Sequence, residues 1–460
     1  MLGSSFHKFT VRICACLLLL IAGCGTQTKP DYSYNWRAFQ GERINVMLSQ
    51  HPYSAAVVQQ LRQFESMTGI KVNYIITPED YYVDKLDLAL NDRRGSPDVF
   101  MTGSHYIWEH APKRLMQSLD EFLADPATLV PDYDPQDFVP KVVDSLKWNL
   151  LDGDPAGTGS LWAVPIGFEL SSLAYNKRIF GQYGLEAPHT LNDLLNRCET
   201  LRGNGIDGLS LRISEKWNSL SSSFITMFAN FGANDFVMEN GRLRSAVNSD
   251  KAVEATEMWV KLVHSCSSVS SWWQNPWNEA SADLGAGKVA MLFDADINAY
   301  MQNVEGYSKE SGNIVFTPAP LVNPNVKIAS NLWAWGLGMN NASNHKEASW
   351  LFMQYFTSKD FIRWAALNAN LVHPARRSVM ADKDYVRHIR KVEGLEQTLN
   401  EQLENARTLF TPHASFFDTT NEWASALKKM VNGEYADTRQ GLDELKRKID
   451  NLLDEAGTSQ

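Results

Sequence analysis

Between Arg43 and Gly103 the chain repeats one pattern. "RINVMLS" (Arg43 to Ser49) reads as a strand. "SAAVVQQLRQFESMTG" (Ser54 to Gly69) carries apolar residues at helical spacing, with Ser54 as its cap and Gly69 as its stop. "IKVNYIIT" (Ile70 to Thr77) is strand-like again, a helix with Tyr81, Leu86, Leu88 and Leu90 follows, and "PDVFMTG" (Pro97 to Gly103) closes the series. Strands separated by helices cannot pair as simple hairpins, so this alternation predicts an α/β architecture with a parallel sheet.

Ligands of such sheets sit outside the carboxyl ends of the strands. The loops at those ends are "SQHPYS", "TPEDYY" and "TGSHYIW". Each sets aromatic rings beside hydrogen-bonding groups, which makes His51, Tyr53, Tyr81, His105 and Tyr106 candidate ligand contacts. From Pro188 to Ser281 the chain reads mostly as helix, interrupted by the strand-like "GLSLRI", and "TRQGLDELKRKIDNLLDEAG" near the end is an amphipathic helix.

The first residues contribute only positive charge, His7, Lys8 and Arg12, ahead of the apolar run "ICACLLLLIA" (Ile13 to Ala22). That run is about half the roughly 20 residues a membrane-spanning helix needs, so residues 1–23 are expected to be a cleaved secretory leader. The following "IAGC" resembles the lipobox of bacterial lipoproteins, with Cys24 as the lipidated first residue of the mature chain and residues 24–42 as tether. Processing removes Lys8 and Arg12 and no acid, so the net charge of −10 becomes −12. An acidic chain of this kind is a poor partner for nucleic acid.

The mature length exceeds the roughly 250–300 residues at which single cores stop growing, so two lobes are expected. Past Cys24 only Cys198 and Cys266 remain. Two cysteines exclude a multi-cysteine metal site, and both lie in amphipathic helical stretches where separate buried thiols are the simpler expectation, with one disulfide as the alternative. No metal and no cofactor are expected.

The ordered segments "FESMTGIKV" (Phe64 to Val72), "GSPDVFMTGS" (Gly95 to Ser104), "LWAVPIGFELSSLAYNKRIF" (Leu161 to Phe180), "LGAGKVAMLFD" (Leu284 to Asp294), "NIVFTPAP" (Asn313 to Pro320) and "EASWLFMQYFTSKDF" (Glu347 to Phe361) resemble family 1 extracellular solute-binding proteins, the carbohydrate-capturing components of ABC importers. The resemblance implies a two-lobed periplasmic-binding-protein fold of type II with a hinge between the lobes and the ligand in the cleft. It places crossings near Pro165, Pro318 and Trp335. The first lobe is then expected from 43–165 plus about 313–335, and the second from 166–312 plus about 336–460. Its implied partners are a carbohydrate, the membrane permease and, through the lipid, the membrane itself. The chain is expected to act as a monomer in the periplasm or at the cell surface.

Sugars and polyols present hydroxyls and C–H faces, so their sites need rings and polar side chains together. This chain has 14 Trp, 15 Tyr and 21 Phe. Trp259, Trp350, Phe352 and Phe356 sit at helical spacing among aliphatics and read as core. Glu169 follows the implied crossing "VPIGF", and Trp217 follows "LSLRI" on the second lobe. Asp294 and Asp296 end a strand with spacing that puts both on one side if it persists, or caps a helix if it does not. Asn331, Trp333 and Trp335 share one face of an extended segment, Trp333 being the main stacking candidate. Arg376 lies in "LVHPARRSV", matches the family's P-x-R turn and has the donors for vicinal hydroxyls, or for an ion pair. The stretch "SCSSVSSWWQNPWNEA" (Ser265 to Ala280) is rich in tryptophan. The competing readings are a secreted glycoside-active enzyme, whose two carboxyl groups would stand across a scissile bond, and a sugar-sensing partner of a receptor.

Overall fold

The long strand Ala163–Asn176 organises the molecule, in a computed structural model that describes residues 34–213, 216–267, 276–325 and 327–458. Cys24 and the leader lie outside the described residues, as do residues 268–275 of the tryptophan-rich stretch. Contacts gather Trp36–Gln460 into a unit, to which everything below refers.

Ala163 to Leu170 pair antiparallel with Leu332–Met339, while Ser171 to Asn176 pair with Val289–Ala295 on one side and Ile314–Pro318 on the other. One strand thus belongs to two sheets, changing partners between Leu170 and Ser171. The first sheet runs Lys71–Thr77, Arg43–Ser49, Val99–Thr102, Leu332–Met339, and then the first half of the long strand. Its strands from Arg43–Ser49, Lys71–Thr77 and Val99–Thr102 are parallel, in keeping with the alternation in the sequence. The second sheet carries the second half, Val289–Ala295 and Asp207–Leu211, with Ile314–Pro318 beside them.

The helix after the first strand spans Pro52–Thr68, one residue pair earlier than its expected start. His51, not Ser54, is the cap: its Nδ1 accepts the Tyr53 N–H at 3.2 Å, and Pro52 occupies the first turn, where a missing N–H costs nothing. Gly69 ends the helix at φ 76°, a left-handed conformation that glycine adopts without strain. Phe64 packs from this helix onto Phe352 at 5.3 Å between ring centroids, so Lys346–Phe356 covers the first sheet. Trp259, Trp350, Phe352 and Phe356 are all buried, each ring stabilising the fold by about 1.5–3 kcal/mol of removed apolar surface.

Pairing departs from the expected division of the later chain at two places. Ile314–Pro318 joins the second sheet rather than the first lobe, and all of Leu332–Met339 lies in the first sheet, with Lys346–Phe356 packed behind it. Both strands are buried along nearly their whole length, so neither carries an alternation that would announce its sheet. Leu395–Leu403 and Phe416–Val431 then return to the second lobe.

Cys198 and Cys266 form a disulfide with Cα atoms 4.9 Å apart, which corrects the expectation of two thiols. Leu191–Gly203 and Asp250–Cys266 lie side by side, and the apolar stripe of each helix brings its cysteine to the shared seam.

Candidate ligand-binding cleft

The partner switch in the long strand sets Glu169 at the mouth between the sheets, directly opposite Trp333 in the strand register. One carboxylate oxygen of Glu169 accepts two bonds, from His51 Nε2 at 2.9 Å and from Trp335 Nε1 at 2.8 Å. Because His51 Nδ1 already accepts from Tyr53, its proton resides on Nε2, and the imidazole donates to Glu169. Three elements distant in sequence are tied at one oxygen, and the second is left for other donors.

Trp333 and Trp335, two apart on one strand, meet at 5.1 Å and 72°. Trp217 comes from the second lobe and stacks on Trp333 at 5.7 Å and 28°. Gly103 permits this placement, since a Cβ there would stand 2.8 Å from the Trp333 ring and from the Ala334 carbonyl. Across the cleft, Arg212 is held by Asp294 through Nε at 3.1 Å and Nη2 at 2.6 Å, a forked pair that fixes the guanidinium. The chain from Leu220 to Phe224 opens into a π turn, which presents Ser221 and Ser222.

These groups line a cavity of about 40 Å³ with Ser171 and Asn298. The Asn298 amide nitrogen and the Trp333 indole nitrogen are buried there without a hydrogen-bond partner among the described residues. A buried donor left unsatisfied costs about 1–3 kcal/mol, which an oxygen-bearing ligand would recover.

Of the expected contacts, His51, Glu169, Trp217, Asn331 and Trp333 line this cavity. Asn331 is spent on scaffolding: its Nδ2 donates to the Ser221 carbonyl at 2.6 Å and its Oδ1 accepts from the Leu409 N–H.

The others lie elsewhere. Tyr53 is fully buried in the first lobe and donates to the Phe168 carbonyl at 3.0 Å, and burial pushes its hydroxyl pKa well up. Tyr81 stands on the outer surface, 61% exposed. His105 and Tyr106 fall in the first turn of Ser104–His110, which turns them inward rather than into the cleft. His105 is enclosed by Trp108, Trp217, Trp333, Phe410 and Phe416, and that burial drives its pKa well below the usual histidine range.

Asp294 and Asp296 do not act as a pair. The strand stops at Ala295, so Asp294 turns to Arg212, while Asp296 starts a helix and accepts from His373 Nε2 at 2.6 Å. Arg376 is wholly buried, donates to the backbone carbonyls of Thr357 and Asp134, and lies 3.6 Å over the Phe138 ring. It braces the first lobe.

Arg212, Trp335, Ser221, Ser222 and Asn298 were not expected as contacts. Trp335 had a signal, its two-residue spacing from Trp333. Arg212 had none, because its partner lies 82 residues away. Among the described residues there is no cluster of three or more potential metal ligands, and no helix is long and apolar enough to cross a membrane.

A cleft between two α/β lobes, with rings and polar groups converging on it from both, is the architecture of a solute-binding protein. The sequence profile of the bacterial extracellular solute-binding proteins matches residues 49–361, and the chain belongs to that family. It is 33% identical over 409 residues to the erythritol/L-threitol-binding protein of Mycolicibacterium smegmatis, covering 88% of this chain and 85% of that one. Its fold is shared with an ABC transporter solute-binding protein from Agrobacterium radiobacter solved with ribitol, at a TM-score of 0.77, 18% identity, and coverage of 90% and 99% of the two chains. One from Agrobacterium vitis with bound D-mannitol gives a TM-score of 0.76 at 21% identity, with the same coverage. The chain is therefore a two-lobed extracytoplasmic binding protein and not an enzyme.

Proposed function

We propose that the protein captures a small neutral polyol or sugar between its lobes and hands it to the permease of an ABC importer. The observation that carries this reading is the meeting, in one cavity, of the Trp217, Trp333 and Trp335 rings with Glu169, Arg212 and the Asn298 amide nitrogen, which has no hydrogen-bond partner among the described residues. Rings cover C–H faces while carboxylate, guanidinium and amide pair with hydroxyls. The tetritol named for the 33% identical relative supports a short polyol as ligand.

Size points the same way. A buried water occupies about 10–15 Å³ by the measure that gives this cavity about 40 Å³. A solute of a few carbons is accommodated with slight opening of the lobes, whereas an oligosaccharide does not fit a space of that size. A sugar acid is disfavoured, because Arg376 is remote from the cavity, the Arg212 guanidinium in its wall is already paired with Asp294, and the carboxylates of Glu79 and Glu169 line the same space.

A thermal-shift screen of the purified chain tests the class. A polyol at a hundred times its dissociation constant should stabilise the fold by about 2.7 kcal/mol. A screen answered only by amino acids, peptides or metal ions would exclude the polyol reading.

We also infer that Cys24 carries a lipid that tethers the protein to a membrane, on the strength of the "IAGC" motif. Two or three acyl chains, at about 0.8 kcal/mol per buried methylene, hold such an anchor durably. Cys24→Ala should release the protein into the soluble fraction of expressing cells, and continued partition into detergent would refute the anchor.

A further inference from the structure

Beyond the inner cavity lies a second and larger chamber of about 630 Å³. The two spaces share Glu79, Trp277 and Met301 in their walls, so these three side chains form the partition between them. Glu79 begins the first-lobe helix Glu79–Asn91. Trp277 begins Trp277–Gly285 directly after Pro276, whose ring limits the backbone at that position, and Met301 projects from Asp296–Asn303. The partition therefore has one part on the first lobe and two on the second.

The outer chamber is polar. Gln50, Asn278, Ser281, Gln302 and Lys309 line it, residue types that pair with hydroxyls as those of the inner cavity do. Nothing in that lining excludes a second sugar unit; between it and the inner site stand the Glu79 carboxylate from the first lobe and the Trp277 indole and Met301 thioether from the second.

We propose that Trp277 and Met301 set the maximum ligand length, and that the outer chamber is a latent subsite for a second sugar unit or a longer polyol chain. This rests on the inner cavity binding polyols. Trimming either side chain joins the chambers and shifts selectivity toward longer ligands, while the contacts at Glu169, Arg212 and Trp333 persist. Steric selectivity of this kind is worth about 10–200-fold for even small differences in ligand bulk.

The test is calorimetric titration of the wild type, Trp277→Ala and Met301→Ala with erythritol, ribitol, mannitol and the disaccharide alditol maltitol, each variant first checked for a cooperative melt. The wild type should prefer one of the three shorter polyols over maltitol, and each variant should narrow that ratio by about tenfold or more. Reading the ratio separates length selection from any stacking lost with Trp277, and Met301→Ala carries the test if Trp277→Ala does not fold. An unchanged ratio in the folded variants, or a wild type that binds maltitol as tightly as the shorter polyols, would overturn the proposal. A wild type that binds none of the four would instead overturn the polyol reading beneath it, and the length filter with it.

Discussion

The Trp335 indole donates to the Glu169 carboxylate at 2.8 Å, joining Leu332–Met339 to the long strand that runs through both sheets. His51 donates to the same oxygen, so the floor of the cleft is one hydrogen-bonded unit fixed before any ligand arrives. Preorganisation of this kind reduces the ordering that binding must impose. It also places Trp333, opposite Glu169 in register, where a ring can cover a ligand face.

Trp333→Ala should weaken binding of the best polyol by about ten- to a hundredfold, the equivalent of roughly 1–3 kcal/mol of apolar contact. Glu169→Gln keeps an acceptor for Trp335 but removes the charge, and should weaken binding in the same direction. Titration calorimetry reads both. Undiminished affinity in a folded Trp333→Ala would remove that ring from the site.

Arg376 separates a bracing role from a binding one. Arg376→Met removes charged hydrogen bonds to the Thr357 and Asp134 carbonyls, worth about 1.5–3 kcal/mol each where buried. The urea midpoint should fall by an amount equivalent to several kcal/mol while polyol affinity in the folded protein stays the same. A loss of affinity without loss of stability would return Arg376 to the cleft.

These outcomes bear on what the sequence made legible. The first sheet was readable from Arg43 to Gly103 because one face of each helix is buried and its period shows. The sheet membership of Ile314–Pro318 and Leu332–Met339 was not, since strands buried throughout have no alternation. Within the site, Glu169 and Trp333 were legible because a crossing strand and a two-residue spacing point them to the cleft. His105 and Tyr106 stand in a loop-like string that instead folds into the first turn of Ser104–His110, where both are fully buried. Arg212 depends on an ion pair formed only by the fold.

The disulfide should matter outside the cleft. Cys198 and Cys266 are 68 residues apart, and restraining a loop of that length in the unfolded chain is worth about 4 kcal/mol in the chain-entropy model. Reduction, or a Cys198→Ala, Cys266→Ala double variant, should lower the denaturant midpoint accordingly and leave polyol affinity near its original value. An unchanged midpoint would mean that the bond contributes nothing to stability.

Acid should destabilise the fold through its buried histidines. Burial lowers the pKa of His413 to about 4, burial with Lys113 nearby lowers that of His110 to about 3, and burial with His413 nearby lowers that of His105 well below its usual value. The unfolded chain protonates each near pH 6.5 while the folded chain does not, so it binds more protons below that pH and stability falls. The slope is at most about 1.4 kcal/mol per pH unit for each histidine, running from about pH 6.5 down through the folded values. Urea midpoints at pH 7, 5.5 and 4.5 measure it, and a flat profile would show that these imidazoles are solvated.

Polyol capture between the lobes is tested most directly by a crystal structure of the mature chain with the polyol it binds most tightly. The expected ligand lies with its carbon chain against the Trp333 indole and its hydroxyls within hydrogen-bonding distance of Glu169, Arg212 or Asn298. A polyol bound outside the cleft, or one in the cleft that touches neither Glu169 nor Trp333, would contradict that site.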